Sequence, residues 1–453
     1  MTSRKLLFIL LVLVNICVTS QDLNTSPFSR YGIGEINSVQ SSHYLGWSNC
    51  AVSFSDPQYI NISNPASYSS LIKHNPVFDV AISGKSAIYN SSYNDLDKSS
   101  FGNNLGLNNM FLGLPISDSW GMVLGVLPFS SIGYQVSNTT NIDTISVTNS
   151  FSGDGSVNQI FFGNGFNLFN RGDTTKFSLG INTSYLFGNI NHLSSIIYNI
   201  SNTYNSRIHN RSSLSGWKID GGIQFYKRFK SSKKHKYYLR FGTTYGLSSS
   251  INTDNDFYAY TFLYNFGIQE IPVDTLENIE NASGTVTIPE KFSIGLGFGK
   301  NKNDQRRWDL AIQYSLSDWS KFSEIRTGIN YQTLPLGESS TISCGYRITP
   351  NLDWGNSSKS ILSKSSYSFG FHHTKSAILL ENTGLINNGI NIGISIPMLS
   401  SRSLSRINIS GEIGKLGDNS KNKIEENYIK FTVGFSMAPD TRYDRWFRKR
   451  KYD

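Results

Sequence analysis

Apolar and polar residues alternate along most of the chain. From Pro76 onward the alternation comes in runs of about 10 to 14 residues separated by polar turns, a spacing typical of tilted membrane strands. In residues 217–226, one face of an extended strand would carry Trp217, Ile219, Ile223 and Phe225. The other face would carry Lys218, Asp220 and Gln224. The same split recurs in residues 310–314, 391–396 and 428–437, and it predicts strands with one apolar and one wet face.

The number and length of these runs favour a membrane barrel. A soluble β-sandwich would show the same alternation with its apolar faces turned inward, but so many long strands without a linker fit one closed cylinder better. The runs number about 14 to 17, and bacterial single-chain barrels close on an even number. The sequence therefore predicts an all-β fold, a single transmembrane antiparallel β-barrel of 14 strands, with 16 as the alternative. Longer polar stretches at residues 90–109, 138–155, 248–256 and 268–284 are predicted to be extracellular loops.

Both ends of the chain lack this alternation. Arg4 and Lys5 precede an apolar core at residues 6–14, and small residues at 18–20 would stand just before a cleavage site. This pattern predicts a signal peptide at residues 1–20. Residues 21–75, rich in Ser, Gly, Asn and Pro, predict an N-terminal hatch or plug ahead of a barrel at residues 76–437. Residues 438–453 form a basic tail, expected in the periplasm because an even-stranded barrel ends on the side where it begins. The expected location is the bacterial outer membrane.

Composition narrows the classes of partner. Only 16% of the residues are charged and 13% are aromatic, which suits a protein whose surface is partly in lipid, with aromatic girdles at its borders. The net charge of +9 is concentrated at residues 227–236 and 442–451, without a recognisable nucleic-acid-binding module. We therefore expect contact with outer-membrane lipid and lipopolysaccharide, and no nucleic acid. Cys50 and Cys344 are predicted to be free thiols.

The sequence offers no constellation for catalysis. His372 and His373 are adjacent, so a strand would send them to opposite faces, where they cannot share a metal ion. The glycine-rich residues 295–300 lack the spacing and the Ser or Thr of a phosphate-binding loop. No serine follows the nucleophile-elbow pattern, and no pair of acidic residues is placed as acid–base catalysis requires. The sequence thus predicts no catalytic residue, no metal site and no cofactor, in a protein that is not an enzyme.

Five stretches carry a family resemblance. Residues 45–66, which end in Asn64, Pro65 and Ala66, resemble the N-terminal hatch of FadL-type outer-membrane barrels, the FadL/TodX-like transporters of long-chain fatty acids and hydrocarbons. Residues 288–297 with the following Trp308 and Trp319, and then residues 341–347, resemble successive strands of the same family. Residues 26–34 and 444–452 resemble the termini of the branch that also contains the type IX secretion protein PorV.

The resemblance implies passive uptake of small hydrophobic compounds, around the hatch or laterally through the wall. Asn64, Pro65 and Ala66 are then expected to form a plug motif that positions the hatch, while a simple turn into the first strand is their alternative role. The alternative function is a non-transporting barrel subunit of an outer-membrane secretion or assembly complex, with protein partners instead of an apolar ligand. A continuous apolar cavity of roughly 300 Å³ or more beside the hatch would favour uptake.

Overall fold

A computed structural model describes residues 26–37, 40–93, 96–172, 174–200, 203–231, 235–265, 269–302, 306–327, 335–352, 360–380, 383–398, 405–418 and 424–439. The strands are β1 (Glu35–Ile36), β2 (Val77–Tyr93), β3 (Leu96–Pro115), β4 (Trp120–Ile142), β5 (Ile145–Asn170), β6 (Thr175–Tyr198), β7 (Asn205–Ser231), β8 (Lys236–Gly246), β9 (Ser249–Asn265), β10 (Gln269–Ile288), β11 (Lys291–Lys302), β12 (Arg306–Asp318), β13 (Ser323–Arg326), β14 (Glu338–Thr349), β15 (Ser366–Leu380), β16 (Thr383–Pro397), β17 (Arg406–Gly417) and β18 (Ile424–Met437). The helical elements are single turns: α1 (Ser42–Leu45), α2 (Ile361–Lys364) and 3₁₀ turns at Pro27–Arg30, Pro65–Ser70 and Trp319–Lys321. No described helix is long and apolar enough to cross a bilayer.

Fourteen of the strands form a closed antiparallel ring. Strands β2 to β8 pair in sequence order, β8 pairs with β11, and the ring continues through β12 and β14 to β18. It closes where β18 pairs with β2, from Ile424 opposite Ser91 to Met437 opposite Phe78. The prediction of a 14-stranded antiparallel barrel is thereby confirmed. Strands β1, β9, β10 and β13 are additional to the ring.

The two faces of the ring match the predicted alternation. Trp217 is 62% exposed, and Ile219, Ile223 and Phe225 are also exposed on the outer face. Gln224 is buried on the inner face, where its amide donates to the carbonyls of Val52 and Phe54. Lys218 and Asp220, on the same face as Gln224, form an ion pair with each other. An apolar outer belt of this kind is a lipid-facing surface, as in other transmembrane barrels.

The barrel is much taller on one side than on the other. We call the end where β2 begins and β18 ends the lower end. Strands β14 to β18 are 12 to 15 residues long, whereas β4 to β7 are 23 to 27 residues long. The upper parts of these long strands continue, together with β9 and β10, as a six-stranded extension above the short side. We call this extension the upper sheet: residues 130–142, 145–157, 188–198, 205–215, 249–265 and 269–284.

The upper sheet corrects one part of the sequence interpretation. Residues 90–109, 138–155, 248–256 and 268–284 were predicted to be loops, but most of them lie in β2, β3, β4, β5, β9 and β10. Their backbone groups are paired in ladders, so polar side chains do not imply irregular backbone here. In residues 138–155, 248–256 and 268–284 the strict apolar outward face of a membrane strand is missing, because these residues stand above the lipid-facing belt, whereas residues 90–109 keep outward apolar side chains such as Phe101 and Leu105.

Other sequence predictions concern the two cysteines, the chain ends and residues 40–75. Cys50 is buried and Cys344 is exposed, and both are free, as predicted. The predicted signal peptide and nearly all of the predicted basic tail lie outside the described residues. Residues 40–75 contain only turns, α1 and one 3₁₀ helix, and they precede the first ring strand. We call residues 40–75 the inner segment.

Candidate functional site: the filled lumen

The inner segment lies within the ring. Its residues bond to or pack against thirteen of the ring strands, and α1 lies beside the fourteenth, β17. The bonds reach opposite walls: Ser41 donates to Asp79 on β2, and Ser69 donates to Ser178 on β6. On the far side, Ser48 donates to Asn391 on β16. A segment that touches every strand of a closed ring can only occupy its interior.

Glycines on ten ring strands allow this close approach. At each of them an added Cβ would overlap an atom of the inner segment, so the wall can carry no side chain at these ten positions. These wall glycines are Gly121, Gly165, Gly180, Gly222, Gly242, Gly297, Gly345, Gly370, Gly393 and Gly434. Glycine is the residue that permits such backbone contact. The ring and the inner segment therefore fit each other around the whole circumference.

Asn64, Pro65 and Ala66 lie against the wall formed by β5 to β8. The Asn64 side-chain amide donates to the carbonyls of Val52, at 2.9 Å, and Ile223 on β7, at 3.0 Å. Its oxygen accepts from the Ala66 backbone N–H at 3.1 Å and caps the 3₁₀ turn that begins at Pro65. Added Cβ atoms at Gly180 and Gly222 would overlap this triplet. The triplet thus makes both a local turn and contacts that connect the segment to the wall.

A buried cluster of charges joins Asp56 of the inner segment to the opposite wall. Asp56 accepts from Arg347 on β14 at 2.7 Å and from Arg307 on β12 at 3.0 Å. Arg347 also donates to Asp309 on β12, at 2.8 and 3.1 Å, and Arg307 pairs with Asp309 at 2.9 Å. A buried carboxylate is stable only when it is paired in this way. Breaking such a pair leaves uncompensated charge, at a cost of about 3 to 5 kcal/mol.

Aromatic rings enclose the charge cluster. The Arg347 guanidinium lies over the Trp47 ring at 4.6 Å, and Arg240 on β8 lies over Phe54 at 4.8 Å. Arg240 also donates to the Ser55 carbonyl at 2.9 Å. Rings that stack on guanidinium groups add cation–π attraction and exclude water from the ion pairs. Sequence reasoning did not identify this cluster. The only signal for it was alternation, which places Arg307 and Asp309 on one face of β12.

A second ionic contact holds the residues that precede the inner segment. Lys85 on β2 pairs with Glu426 on β18 at 2.7 Å and with Glu35 on β1 at 3.0 Å. Ser26 donates to the other oxygen of Glu426 at 2.7 Å. Both chain segments that flank Pro27–Arg30 are therefore bonded to the closing seam of the ring.

The seam between β3 and β4 is only partly paired. These strands pair from Met110 to Pro115, and above this the rest of β3 pairs with β2 alone. The free edge of β4 is taken up by β1, with Glu35 opposite Ser131, and by the Ser26 N–H, which donates to the Gly133 carbonyl. Residues 26–37 thus occupy an opening in the wall.

The upper part of the lumen is filled by apolar side chains. Ile33 packs with inward-facing residues of the tall wall, including Ile132, Leu186 and Ile190, and Trp319 and Phe322 pack against the same cluster. Two narrow clefts among the described residues leave room for about one water molecule at most. They are lined largely by polar residues and glycine, such as Ser42, His43 and Arg347 in one of them. Neither matches the apolar cavity of roughly 300 Å³ that a ligand site for uptake requires.

Comparison with known proteins places the chain in a family. The whole chain, residues 1–453, matches the sequence profile of the family described as BamG. The chain belongs to the BamG family. No protein of curated function matches the sequence.

Solved structures of low sequence identity share the fold. The toluene transporter TodX of Pseudomonas putida has a TM-score of 0.51 at 14% identity, with 93% of this chain and 100% of that chain covered. A FadL homologue of Pseudomonas aeruginosa has a TM-score of 0.52 at 10% identity, with 89% and 99% covered. The toluene transporter TbuX of Ralstonia pickettii has a TM-score of 0.51 at 11% identity, with 88% and 98% covered. These similarities show a common barrel fold. The resemblance of the chain ends to the PorV branch stays a prediction.

Proposed function

We propose that this member of the BamG family is a sealed outer-membrane barrel that acts as a non-transporting subunit of an outer-membrane secretion or assembly complex. The observation that carries the proposal is the filled lumen: the inner segment contacts every ring strand, and its charges pair with the wall. In this account the residues Asn64, Pro65 and Ala66 hold a permanent plug in place. The working surfaces then lie outside the lumen.

The free energy needed to withdraw the inner segment from the lumen supports a permanent seal. Withdrawing the inner segment would separate Asp56 from Arg307 and Arg347 and leave these two cations to share Asp309 as their one carboxylate. That alone costs about 3 to 5 kcal/mol, before the bonds of Asn64 and Ser41 are counted. It would also expose the backbone of ten wall glycines to an empty lumen. A gate that opens in every transport cycle would need a far weaker contact than this one.

Purification of the native complex tests the proposal. The full-length protein carrying an affinity tag in an upper-end hairpin would be isolated from mildly solubilised outer membranes, and its mass measured by native mass spectrometry. We expect a defined assembly with other proteins at fixed stoichiometry. As the control, a tagged unrelated barrel of the same cells should not recover them. A protein that is entirely monomeric in native membranes, as shown by in-cell crosslinking, would contradict the proposal.

The partly paired seam between β3 and β4 favours a second candidate, uptake of a small hydrophobic compound. The wall there is closed by residues 26–37 and not by a continuous strand ladder, so displacement of this stretch would open a lateral path. Uptake of radiolabelled toluene into vesicles containing the purified protein tests this function. Uptake faster than in protein-free vesicles, and lost when Ile33 is replaced by Cys and crosslinked to a Cys at Ile132, would support it. Equal rates of toluene uptake in both kinds of vesicle would contradict the uptake function.

A further inference from the structure

The upper sheet has the reverse polarity of the membrane wall below it. Alternation places Val136, Phe151 and Ile208 on the same face as Ile132, Ile190 and Leu214, whose side chains point to the barrel axis. The opposite face at this height carries polar residues such as Gln135, Ser152 and His209. In the membrane the outer face is apolar, whereas above it the inner face carries more of the aliphatic residues, interspersed with polar ones such as Asn149 and Ser194. Water alone on both sides of the upper sheet does not account for that inner face.

Much of this apolar inner face is exposed. Ile142 is 61% exposed, Ile208 is 42% exposed, and Val136, Ile196 and Ile271 are exposed to a similar degree. The five residues come from β4, β6, β7 and β10, all strands of the upper sheet, and alternation places them on its inner face. Contiguous exposed apolar surface on a folded protein marks an interaction site.

The same face is covered one level lower. There Ile132, Ile190 and Leu214 are buried under Ile33 and the ring of Phe322. The covering elements come from the short side and from residues 26–37, and Arg30 reaches the level of Ile208, where it lies over the Phe151 ring. Among the described residues, the base of this face is therefore covered, whereas Ile208 and the residues above it stay exposed.

The charges beside the exposed face have one sign. Within the six described strands, the side chains on this face at and above the level of Ile208 include two ionisable groups, Asp274 and Glu277 on β10. Both are exposed, and no described cation forms an ion pair with either. Glu270, on the opposite face of β10, is bound by Arg207 with two bonds. Arg30 lies at the level of Ile208, over the Phe151 ring at 4.7 Å, and strands β6, β7 and β9 separate it from the two carboxylates on β10.

The edge of the upper sheet is unsuited to strand addition. The upper part of β10 is an edge, but its register shifts at three places, between Pro272 and Asp274, Thr275 and Glu277, and Ile279 and Ala282. Bulges and proline are devices that prevent another strand from pairing. Strand addition along β10 is therefore disfavoured, whereas the face of the sheet is exposed to a partner.

We propose that the inner face of the upper sheet is the docking surface for a cell-surface protein that presents apolar side chains bordered by Lys or Arg. The proposal rests on the proposed function, because it names where and by what chemistry the complex partner binds. The upper end is extracellular, since the longer segments of bacterial barrels face outward. The apolar centre supplies contact area, and Asp274 with Glu277 selects a basic rim.

Cysteine labelling on intact cells tests the docking surface. Ile208→Cys on the inner face and His209→Cys on the outer face are adjacent on β7, and both are made in a Cys344→Ser background in which Cys50 stays buried. A membrane-impermeant maleimide is applied to cells and to the purified protein in detergent. We expect Ile208→Cys to react at least about tenfold more slowly in cells than when purified, which corresponds to about 90% coverage. His209→Cys should react at similar rates in both.

Two further arms identify what covers the face. In vesicles of phospholipid and lipopolysaccharide that contain only the purified protein, Ile208→Cys should react at the detergent rate. Protection in these vesicles would mean lipid or a second copy and would overturn the proposal. In cells, Asp274→Lys with Glu277→Lys should restore labelling, whereas Glu280→Lys should not. If Ile208→Cys stays protected after the charge reversal, the inference that the partner has a basic rim is wrong.

Failure here is distinguishable from failure of the proposed function. Equal labelling of Ile208→Cys in cells and in detergent, with a defined complex still isolated, would place the partner elsewhere on the barrel and overturn only the docking surface. Heat-dependent migration of each variant in gel electrophoresis verifies that its barrel is folded.

Discussion

Strand β7 passes through two regions that carry their apolar residues on opposite faces. From Trp217 to Phe225 the outward residues are apolar and the inward ones meet the inner segment. From Asn205 to Ser215 the outward residues are polar, while Ile208 on the inward side is apolar and exposed. In both regions the backbone is extended and pairs antiparallel with β6, and the other neighbour is β8 below and β9 above. The comparison teaches that strand geometry fixes only which residues share a face, and that the surroundings decide which face is apolar.

The two regions also differ in what covers their inner face. The membrane region is filled by the inner segment of the same chain, through Asp56, Asn64 and the wall glycines. In the part of the chain that the structure describes, Ile33 and Phe322 cover the base of the upper sheet, and Arg30 lies over Phe151. The chain therefore supplies its own plug but, within the described residues, not a cover for the upper sheet. In the proposed function, the filled lumen and the exposed face above it serve binding rather than passage.

Asp56→Ala tests the strongest contact of the membrane region. The change leaves Arg307 and Arg347 buried with Asp309 as their one remaining carboxylate. We expect the free energy of unfolding to fall by about 3 to 5 kcal/mol, because the buried pair loses one partner. Equilibrium unfolding in lipid vesicles measures it. Asp118→Ala, at an exposed position, should change it by less than about 0.5 kcal/mol. Equal effects of the two variants would show that Asp56 does not secure the inner segment.

Ile190→Ala and Ile208→Ala compare covered and uncovered apolar residues on the same face. Ile190 is 4% exposed within the upper lumen cluster, and its truncation should lower the free energy of unfolding by about 2 to 5 kcal/mol. Ile208 is exposed, so its truncation should cost under about 1 kcal/mol in the purified protein. Thermal unfolding, followed by migration in gel electrophoresis, ranks the two variants. A large loss at Ile208 would mean that the upper face is already packed within the chain.

Gly222→Ala and Gly221→Ala sharpen the account of the wall glycines. The methyl group at Gly222 points inward and would overlap the Asn64 side chain, whereas at Gly221 it meets only backbone oxygens at 4.0 Å. We expect Gly222→Ala to destabilise the folded protein by about 1 to 3 kcal/mol, as overpacking does. Gly221→Ala should be neutral or slightly stabilising. The same unfolding assay compares these adjacent positions, and a neutral result at Gly222 would argue that the inner segment sits loosely.

Truncation after Asp440 should have the smallest effect on the barrel. The last ring strand ends at Met437, so the closing ladder is retained and the unfolding temperature should be unchanged. The removed residues include Trp446, Phe447 and several cations, which offer more binding surface than a solvated end requires. We therefore expect weaker retention of complex partners on purification. The same partners at the same yield would leave the tail as a membrane-surface anchor.

Sequence reasoning succeeded where one side of a strand faces lipid. The alternation at residues 217–226 predicted the barrel wall, and the number of such runs predicted 14 strands, because lipid enforces a strict apolar face. It failed at residues 248–256 and 268–284, where water on the outer face removes that signal. It also missed the cluster of Asp56, Arg307 and Arg347. Asp56 and Arg347 are 291 positions apart, and only closure of the ring brings them together.

The central claim is that the inner segment permanently seals the lumen, and ion conductance tests it most directly. The purified full-length protein and a variant lacking residues 22–63 would be compared in planar bilayers. We predict no stable current steps from the full-length protein and steady channel currents from the deletion variant, which should also let large antibiotics leak into cells. The reverse result, stable currents from the intact protein or no change on deletion, would contradict the seal.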